Sequence, residues 1–354
     1  MRDRVRELVE KLPEDIDGAL ISSGKILKYF TGVYSGVLLV SKKKSYLFAY
    51  RGEMPKKSAE ISYEIVPINS LSNQIKNFVK FLGLKTIGVD SEKITLAQCI
   101  KYQAFFNGAK IVWDNRIAFA IKDIRRKKEP EEVKAIVTAQ RFAERAFDDI
   151  LNFIKPGKTE IEVAARLSYI MKLNGSEGDS FSPLVSTGSN TAQIHNSPSD
   201  RPIKEGEFVM MDYGATFNGY CSDMTRTIAV GHADDEMQEV YNIVLAAQNT
   251  AISALKPGLP CREGDAAARN YFAERGYDKY FGHALGHCVG LDLQEQPFLS
   301  QSSMINRCHV GDVTTVEPGI YIDGKFGVRI EDMVYIGENE NTNLTKAEKK
   351  LIIL

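Results

Sequence analysis

The sequence of 354 residues has no charge excess of either sign: 45 Lys and Arg stand against 46 Asp and Glu, a formal net of −1 at pH 7. With no basic surplus to hold a polyanion, nucleic acid is not expected as a main partner. No run of about 18 apolar residues occurs, so a membrane-spanning helix is not expected either. The stretch MRDRVRELVEKLPEDID is charged throughout and offers no apolar core for a signal peptide. Cysteine is scarce: Cys99, Cys221, Cys261, Cys288 and Cys308 are widely spaced, odd in number and form no CxxC pair. They read as reduced thiols of a cytoplasmic protein rather than as a disulfide framework. The length fits two globular domains, because single cores stop growing near about 250–300 residues.

Short apolar runs alternate with amphipathic stretches in the first third. GALISS (18–23), SGVLLVS (35–41), KSYLFAY (44–50), YEIVPI (63–68), KTIGVDS (85–91) and KIVWDN (110–115) read as strands. Residues 56–61, 71–81 and 95–107 carry helical spacing, so a mostly parallel, helix-covered α/β sheet is expected. Ser41-Lys-Lys-Lys44 between two strands reads as a hairpin turn, which makes part of that sheet antiparallel. Residues 116–128 read as a linker, and the basic run Arg125–Lys128 as a solvated surface at least as well as an anion site. Beyond it, Val133, Ile136, Ala139, Phe142, Ala146, Ile150 and Phe153 recur every three or four residues, as on one helix face.

From there the chain repeats itself. One helical pattern ends in Ile154-Lys-Pro-Gly157 and a second in Leu255-Lys-Pro-Gly258, 101 residues later. Each is followed by another helix and then by a hairpin bearing two acids, Asp212 and Asp223 in the first and Glu317 and Glu331 in the second. Corresponding acids lie 105 and 108 residues apart, so a duplicated helix–helix–hairpin unit is the better reading. Asn218-Gly219 is a strong type I′ turn, since both positions need positive φ. That turn pairs Phe217 with Tyr220 and Asp212 with Thr225. Asp223 then lies diagonally across from Asp212 on the same face, about 7–8 Å away at the backbone. In the second hairpin a three-residue loop, Asp323-Gly324-Lys325, would set Glu317 opposite Glu331, whereas a two-residue loop would put them on opposite faces. Pro318 marks a sheet edge or bulge there.

Converging carboxylates raise one another's pKa, and burial raises it further, so a divalent metal is the economical partner for four of them. Isolated Asp and Glu are ordinarily solvent-facing; the apolar neighbours in FVMMD, TTVE and VRIED argue against that here. His283 and His287 sit in Gly282-His-Ala-Leu-Gly-His-Cys-Val-Gly290, where three glycines favour a bent strand or loop over a helix. A lone buried histidine is more often a core residue than a ligand. His195 lies in the loop-like STGSNTAQIHNSPSD, and His232 and His309 read as structural.

MDYGATFNGYCSDMTRT, GHALGHCVGL, TTVEPGIY and GVRIED resemble, in order and spacing, the "pita-bread" metallopeptidases: prolidase (Xaa-Pro dipeptidase), aminopeptidase P and methionine aminopeptidase. The resemblance covers nearly the whole chain, and its N-terminal third looks like the creatinase-type domain of the first two. It implies an α/β creatinase-like domain at 1–120. An α+β pita-bread catalytic domain with an internal pseudo-twofold repeat would follow at 121–354. By that resemblance Asp212 chelates one metal ion, Asp223 and Glu331 bridge two, and His287 and Glu317 complete the coordination of the other ion. Such hard ligands suit Mn, with Co, Zn or Fe as alternatives. Glu317 would take a proton from the attacking water and give it to the leaving imino nitrogen. His195 and His283 would contact substrate and steady the tetrahedral intermediate. Arg329 would stand beside the bridging carboxylates, as a salt bridge if nothing more. The implied activity is hydrolysis of the Xaa-Pro bond in a proline-containing di- or oligopeptide, by a cytoplasmic homodimer without nucleic-acid or membrane partners. Aminopeptidase P activity on longer peptides is the alternative, and a catalytically impaired binding module of the same fold is the alternative from another class.

Two positions depart from the family pattern. Gln294 stands where a substrate-binding histidine usually follows the metal-binding one by seven residues, and glutamine cannot be protonated. Cys288 replaces a usual glycine and reads as a small buried thiol. Restoring the imidazole with Gln294→His is expected to raise kcat/KM toward Xaa-Pro peptides or to change which are preferred; an unchanged kcat/KM across them rejects a role for this position.

Overall fold

A computed structural model describes residues 2–55, 61–106 and 108–354. The chain divides into two compact units, Met1–Arg125 and Arg126–Leu354. In the first, the order is α1 (Arg4–Glu10), β1 (Gly18–Ile21), α2 (Gly24–Thr31), β2 (Val37–Ser41), β3 (Ser45–Ala49), β4 (Tyr63–Pro67), α3 (Leu71–Leu82), β5 (Thr86–Val89), α4 (Leu96–Phe105), β6 (Lys110–Val112) and α5 (Arg116–Arg126). All six expected strands join one sheet in the order β4-β3-β2-β1-β5-β6. The β1–β2 and β2–β3 pairs are antiparallel, and β1–β5, β5–β6 and β3–β4 are parallel. The runs GALI and VLLVS are buried along their whole length, as continuous apolar strands covered on both faces must be. Ser41 closes the foreseen hairpin turn: its hydroxyl donates to the Lys44 carbonyl and accepts from the Lys43 and Lys44 amides. The helical spacing at 56–61 falls almost entirely on residues 56–60, outside the described residues.

The linker reading of 116–128 needs correction. Residues 116–126 are helical, with Ile117, Ile121 and Ile124 buried along one face. Apart from the exposed Lys127, the basic run is not a solvated surface either. Arg125 and Lys128 are buried; Arg126 pairs with Asp312 at 2.9 Å and Lys128 with Glu295 at 3.0 Å. A cation taken from water needs such a partner.

The second unit runs α6 (Pro130–Ile150), α7 (Glu160–Leu173), β7 (Gly178–Asp179), β8 (Leu184–Thr187), β9 (Glu207–Tyr213), β10 (Ala215–Phe217), β11 (Tyr220–Cys221), β12 (Met224–Val230), α8 (Asp235–Ala254), α9 (Cys261–Ala273), β13 (Gly286–Cys288), β14 (Glu295–Leu299), β15 (Val313–Val316), β16 (Gly319–Ile322), β17 (Phe326–Arg329), β18 (Asp332–Tyr335) and β19 (Thr342–Asn343). The duplication is visible in packing. Ala139, Ala143, Phe147 and Ile150 of α6 and Val163 and Leu167 of α7 form one core with Val209, Met211 and Ile228 of the first hairpin. Val240, Val244 and Ala251 of α8 and Ala268 and Phe272 of α9 form another with Val316, Ile320, Val328 and Val334 of the second. Both hairpin registers are as read from the turns. Asn218 and Gly219 have φ of 52° and 83°, and Asp212 faces Thr225. Ile322 faces Phe326, and Val316 faces Asp332.

Arg226 stitches the two hairpins together. Its guanidinium, wholly buried, donates to the carbonyls of Thr225, Glu331, Ala347 and Glu348 and pairs with Asp332 at 2.8 Å. Arg226→Met is expected to lower unfolding free energy by about 3 kcal/mol, because four carbonyls and a buried carboxylate each lose one donor. Thermal melting checks this, and Arg226→Lys should recover only part, lacking the planar fork.

Candidate metal centre

Each acid of the second hairpin sits at a gap in the strand ladder. Glu317 follows the end of β15 and precedes Pro318, and Glu331 lies between β17 and β18. Their backbone amides donate outside the hairpin, Glu317 to the Leu285 carbonyl and Glu331 to the Thr225 carbonyl. The interruption therefore ties the hairpin to the segment leading into β13 and to β12. Asp223 occupies the equivalent gap between β11 and β12 in the first hairpin, while Asp212 is on β9. Pro318 marks this break with no slip in register on either side.

These gaps turn the acids toward one another. Carboxylate oxygens of Asp212, Asp223 and Glu331 all lie within 4.8 Å of one another. The Nε2 atom of His287 is 3.6 Å from Asp223 and 3.7 Å from Glu317. His287 lies on β13, where a register shift between His287 and Cys288 bends the strand, as its glycines implied. Its Nδ1 is 3.1 Å from the Cys288 carbonyl. A carbonyl only accepts, so the proton is on Nδ1 and the Nε2 lone pair faces the acids.

Burial, and then the neighbouring carboxylates, push Asp223 and Glu331 well above the usual carboxylate range. Burial lifts Glu317 to about 8 and raises Asp212 against the opposing pull of Arg329. The same burial holds His287 neutral, its pKa lowered to about 4. Asp212 Oδ1 is buried without a hydrogen-bond partner. Four mutually repelling carboxylates, an inward imidazole lone pair and an orphaned oxygen form a donor set that fits divalent cations.

Arg329 borders this cluster. Its Nη2 donates to Asp212 at 2.7 Å, Nε to Thr225 Oγ1 at 3.1 Å and Nη1 to the Tyr321 hydroxyl at 2.9 Å. Thr225 in turn donates to Glu331 at 2.7 Å. The Tyr321 hydroxyl is also 2.9 Å from Nε2 of His283, whose Nδ1 faces the Ala284 carbonyl at 2.8 Å. These partners fix a direction: Arg329 donates to Tyr321, Tyr321 to His283, and His283 to the carbonyl. Burial, then Arg329, lowers the His283 pKa to about 3, which keeps it neutral. His195 is exposed. It lies beyond Ile194, whose carbonyl accepts from Arg329 at 3.3 Å, and close enough to act electrostatically on Asp212 and His283. Gln294 is exposed in the turn between β13 and β14, and Cys288 is a buried thiol.

Tyr321 was not singled out from the sequence, although the hairpin register carries the signal. It shares a face with Glu317 and Arg329, opposite Gly327. A Cβ on Gly327 would strike its ring, and one on Gly319 its hydroxyl, so two glycines make its room. Also unflagged were Asp265 and Arg269 of α9. The fully buried Asp265 pairs with Arg269 at 2.9 Å and accepts from the Leu285 amide, and Arg269 donates to the Phe281 and His283 carbonyls. Together they fix the segment bearing His283.

The chain belongs to metallopeptidase family M24, whose pattern it matches over residues 134–338, preceded by a creatinase/prolidase N-terminal domain over 1–113. It is 35% identical to the Xaa-Pro dipeptidase of Pyrococcus horikoshii over 99% of both chains. Among solved structures, the Xaa-Pro dipeptidase from Bacillus anthracis superposes with a TM-score of 0.90 at 35% identity over 99% of both chains. The X-Pro aminopeptidase from Thermotoga maritima does so with 0.89 at 32%, over 99% of this chain and all of that one. The creatinase-like domain and duplicated pita-bread fold expected from the sequence are thus present, and the chain is a metallopeptidase of a family that uses divalent metal.

Above about pH 7 the unfolded histidines, with an ordinary pKa of 6.5, are mostly neutral and add little slope. Glu317 is still protonated in the metal-free fold but ionised in the unfolded chain, where its ordinary value is 4.5. The fold then binds more protons than the unfolded chain, so stability must fall as pH rises. Chelated protein is therefore expected to melt lower at about pH 8 than at about pH 7, and excess divalent cation should remove the difference by ionising the carboxyls. A metal-free melting point that is flat or rising over that interval would contradict the assignment.

Proposed function

We propose that the chain is a dinuclear-metal exopeptidase that hydrolyses the Xaa-Pro peptide bond, a Xaa-Pro dipeptidase. The single observation that carries this is the four-carboxylate cluster facing the free Nε2 of His287, in a chain that matches a Xaa-Pro dipeptidase along its full length. Asp212, Asp223, His287, Glu317 and Glu331 would hold two cations, with Mn favoured and Co, Zn or Fe as alternatives. Bound there, divalent ions supply Lewis acidity, lowering the pKa of water and polarising the scissile carbonyl.

The chain's own residues do the rest. Glu317, oriented by the Thr315 hydroxyl at 3.1 Å, takes the proton of the attacking water and delivers it to the proline nitrogen as the bond breaks. That nitrogen is tertiary in the substrate and must gain a proton to leave as an amine. His195, exposed beside the cluster, is placed to donate to the substrate carbonyl oxygen as charge builds on it. His283 keeps its neutral tautomer through Tyr321 and the Ala284 carbonyl and borders the substrate. Arg329 holds Asp212 in place and offsets part of the cluster's negative charge. Gln294 would contact the substrate only from the turn beyond β13. The similarity to an X-Pro aminopeptidase supports a second reading, action on longer peptides. We further propose a cytoplasmic homodimer without nucleic-acid or membrane partners. Among the described residues, no helix is long and apolar enough to cross a membrane.

Metal-stripped protein refilled with Mn²⁺ or Co²⁺ should cleave Ala-Pro and Met-Pro and leave Ala-Ala intact, and Ala-Pro-Ala decides between the dipeptidase and aminopeptidase readings. Protein that holds no metal, or holds two ions without cleaving any Xaa-Pro bond, refutes the proposal. His195→Ala should lower kcat on Ala-Pro by about 10²-fold, the usual cost of one charge-stabilising donor, with bound metal unchanged.

A further inference from the structure

His195 is exposed, yet the loop that carries it is anchored by one of the most deeply buried carboxylates in the chain. Glu160, the first residue of α7, has no exposed surface. Four donors converge on its carboxylate. Oε1 accepts from the Thr187 amide at 2.8 Å and from Asn190 Nδ2 at 3.0 Å, and Oε2 accepts from the Ser199 amide at 2.9 Å and hydroxyl at 2.6 Å. Two of these donors precede His195 in the chain and two follow it, so one side chain grips both ends of residues 187–199. The α7 backbone adds to the grip, with the Glu160 amide donating to the Arg201 carbonyl and the Ile161 amide to that of Ser199. Toward the metal centre the loop is held again: the Thr191 hydroxyl accepts from the Gly327 amide at 2.7 Å, and the Ile194 carbonyl accepts from Arg329.

No residue of the metal cluster bonds to Glu160, and none of its four donors is a metal ligand. Only an ionised carboxylate can accept all four at once. Its place on the first turn of α7 also favours the negative charge. We propose that Glu160 is the positioning residue for His195 and supports hydrolysis through that histidine alone. This rests on His195 acting on the substrate, as read above.

Glu160→Gln keeps the shape but sets an NH₂ group against two donors. The test compares wild type, Glu160→Gln, His195→Ala and the double variant, all metal-loaded, by kcat and KM on Ala-Pro, bound metal, and amide hydrogen exchange. In Glu160→Gln, exchange over 187–200 should quicken by about tenfold or more while 207–230 is unchanged. Bound metal should stay at the wild-type level, and kcat should fall by about tenfold with KM nearly constant, an effect smaller than losing the imidazole itself. The double variant should match His195→Ala, since a clamp with nothing to position has nothing left to lose. Unchanged exchange in the loop overturns the proposal, and so do losses that multiply in the double variant or a drop in bound metal. If Glu160→Gln fails to fold, Ser199→Ala removes one of the four bonds and should shift the same readouts in the same direction. Should the wild type cleave no Xaa-Pro bond, the functional reading fails while loop exchange still decides whether Glu160 holds the loop.

Discussion

Mutual repulsion among buried carboxylates is the constraint around which the second unit is built. Left to itself, each acid would turn to water or take up a proton. Here the backbone denies them the first course. Glu317, Glu331 and Asp223 stand at breaks in the strand ladders, and the amides of the two glutamates are committed to Leu285 and Thr225. Thr225, Thr315 and Arg329 then fix the carboxylate oxygens. Without a cation this arrangement is expensive, and burial with the neighbouring acid Asp212 raises the pKa of Glu317. The duplicated helix pairs behind each hairpin supply the apolar packing that offsets such a cost.

Around the acids lies a second set of polar contacts in which every direction is assigned. Arg329, whose guanidinium faces the cluster, links an acid, a threonine, a tyrosine and a loop carbonyl. After burial, its charge is the largest influence keeping His283 from protonating. The tautomers of His283 and His287 follow from the carbonyls their Nδ1 atoms meet. A rearrangement at Arg329 would therefore reach the metal cluster, the imidazole of His283 and the loop before His195 together.

Much of this could be read from the chain because turns encode register. Asn218-Gly219 sets Asp212 against Thr225, and a three-residue loop at Asp323-Gly324-Lys325 sets Glu317 against Glu331. The three-residue loop was one of two choices, and sequence alone could not decide between them. Other features were hidden for one physical reason: buried charges pair over distance. Nothing near Glu160 names Ser199 as its partner, and Arg226 meets Asp332 across 106 positions. The same reason explains the misreading of 116–128, where the charges of Arg125–Lys128 masked an apolar stripe through Ile117, Ile121 and Ile124. Lys128 is buried and Arg126 partly buried because their acids, Glu295 and Asp312, arrive from far along the chain.

The way the cluster is divided between the repeats bears on how the molecule holds together. The first hairpin contributes two acids, and the second contributes two acids with the histidine strand beside it. Neither half has donors enough to surround a pair of cations, so ions seated there would add a staple between halves that also meet through Arg226, through the bonds of Arg329 to Asp212 and Thr225, and through Phe208 against Phe326. Each half would then be stable only as far as the other is folded, and mass action on the metal would act on both at once. A site shared in this way makes two similar halves into one cooperative body.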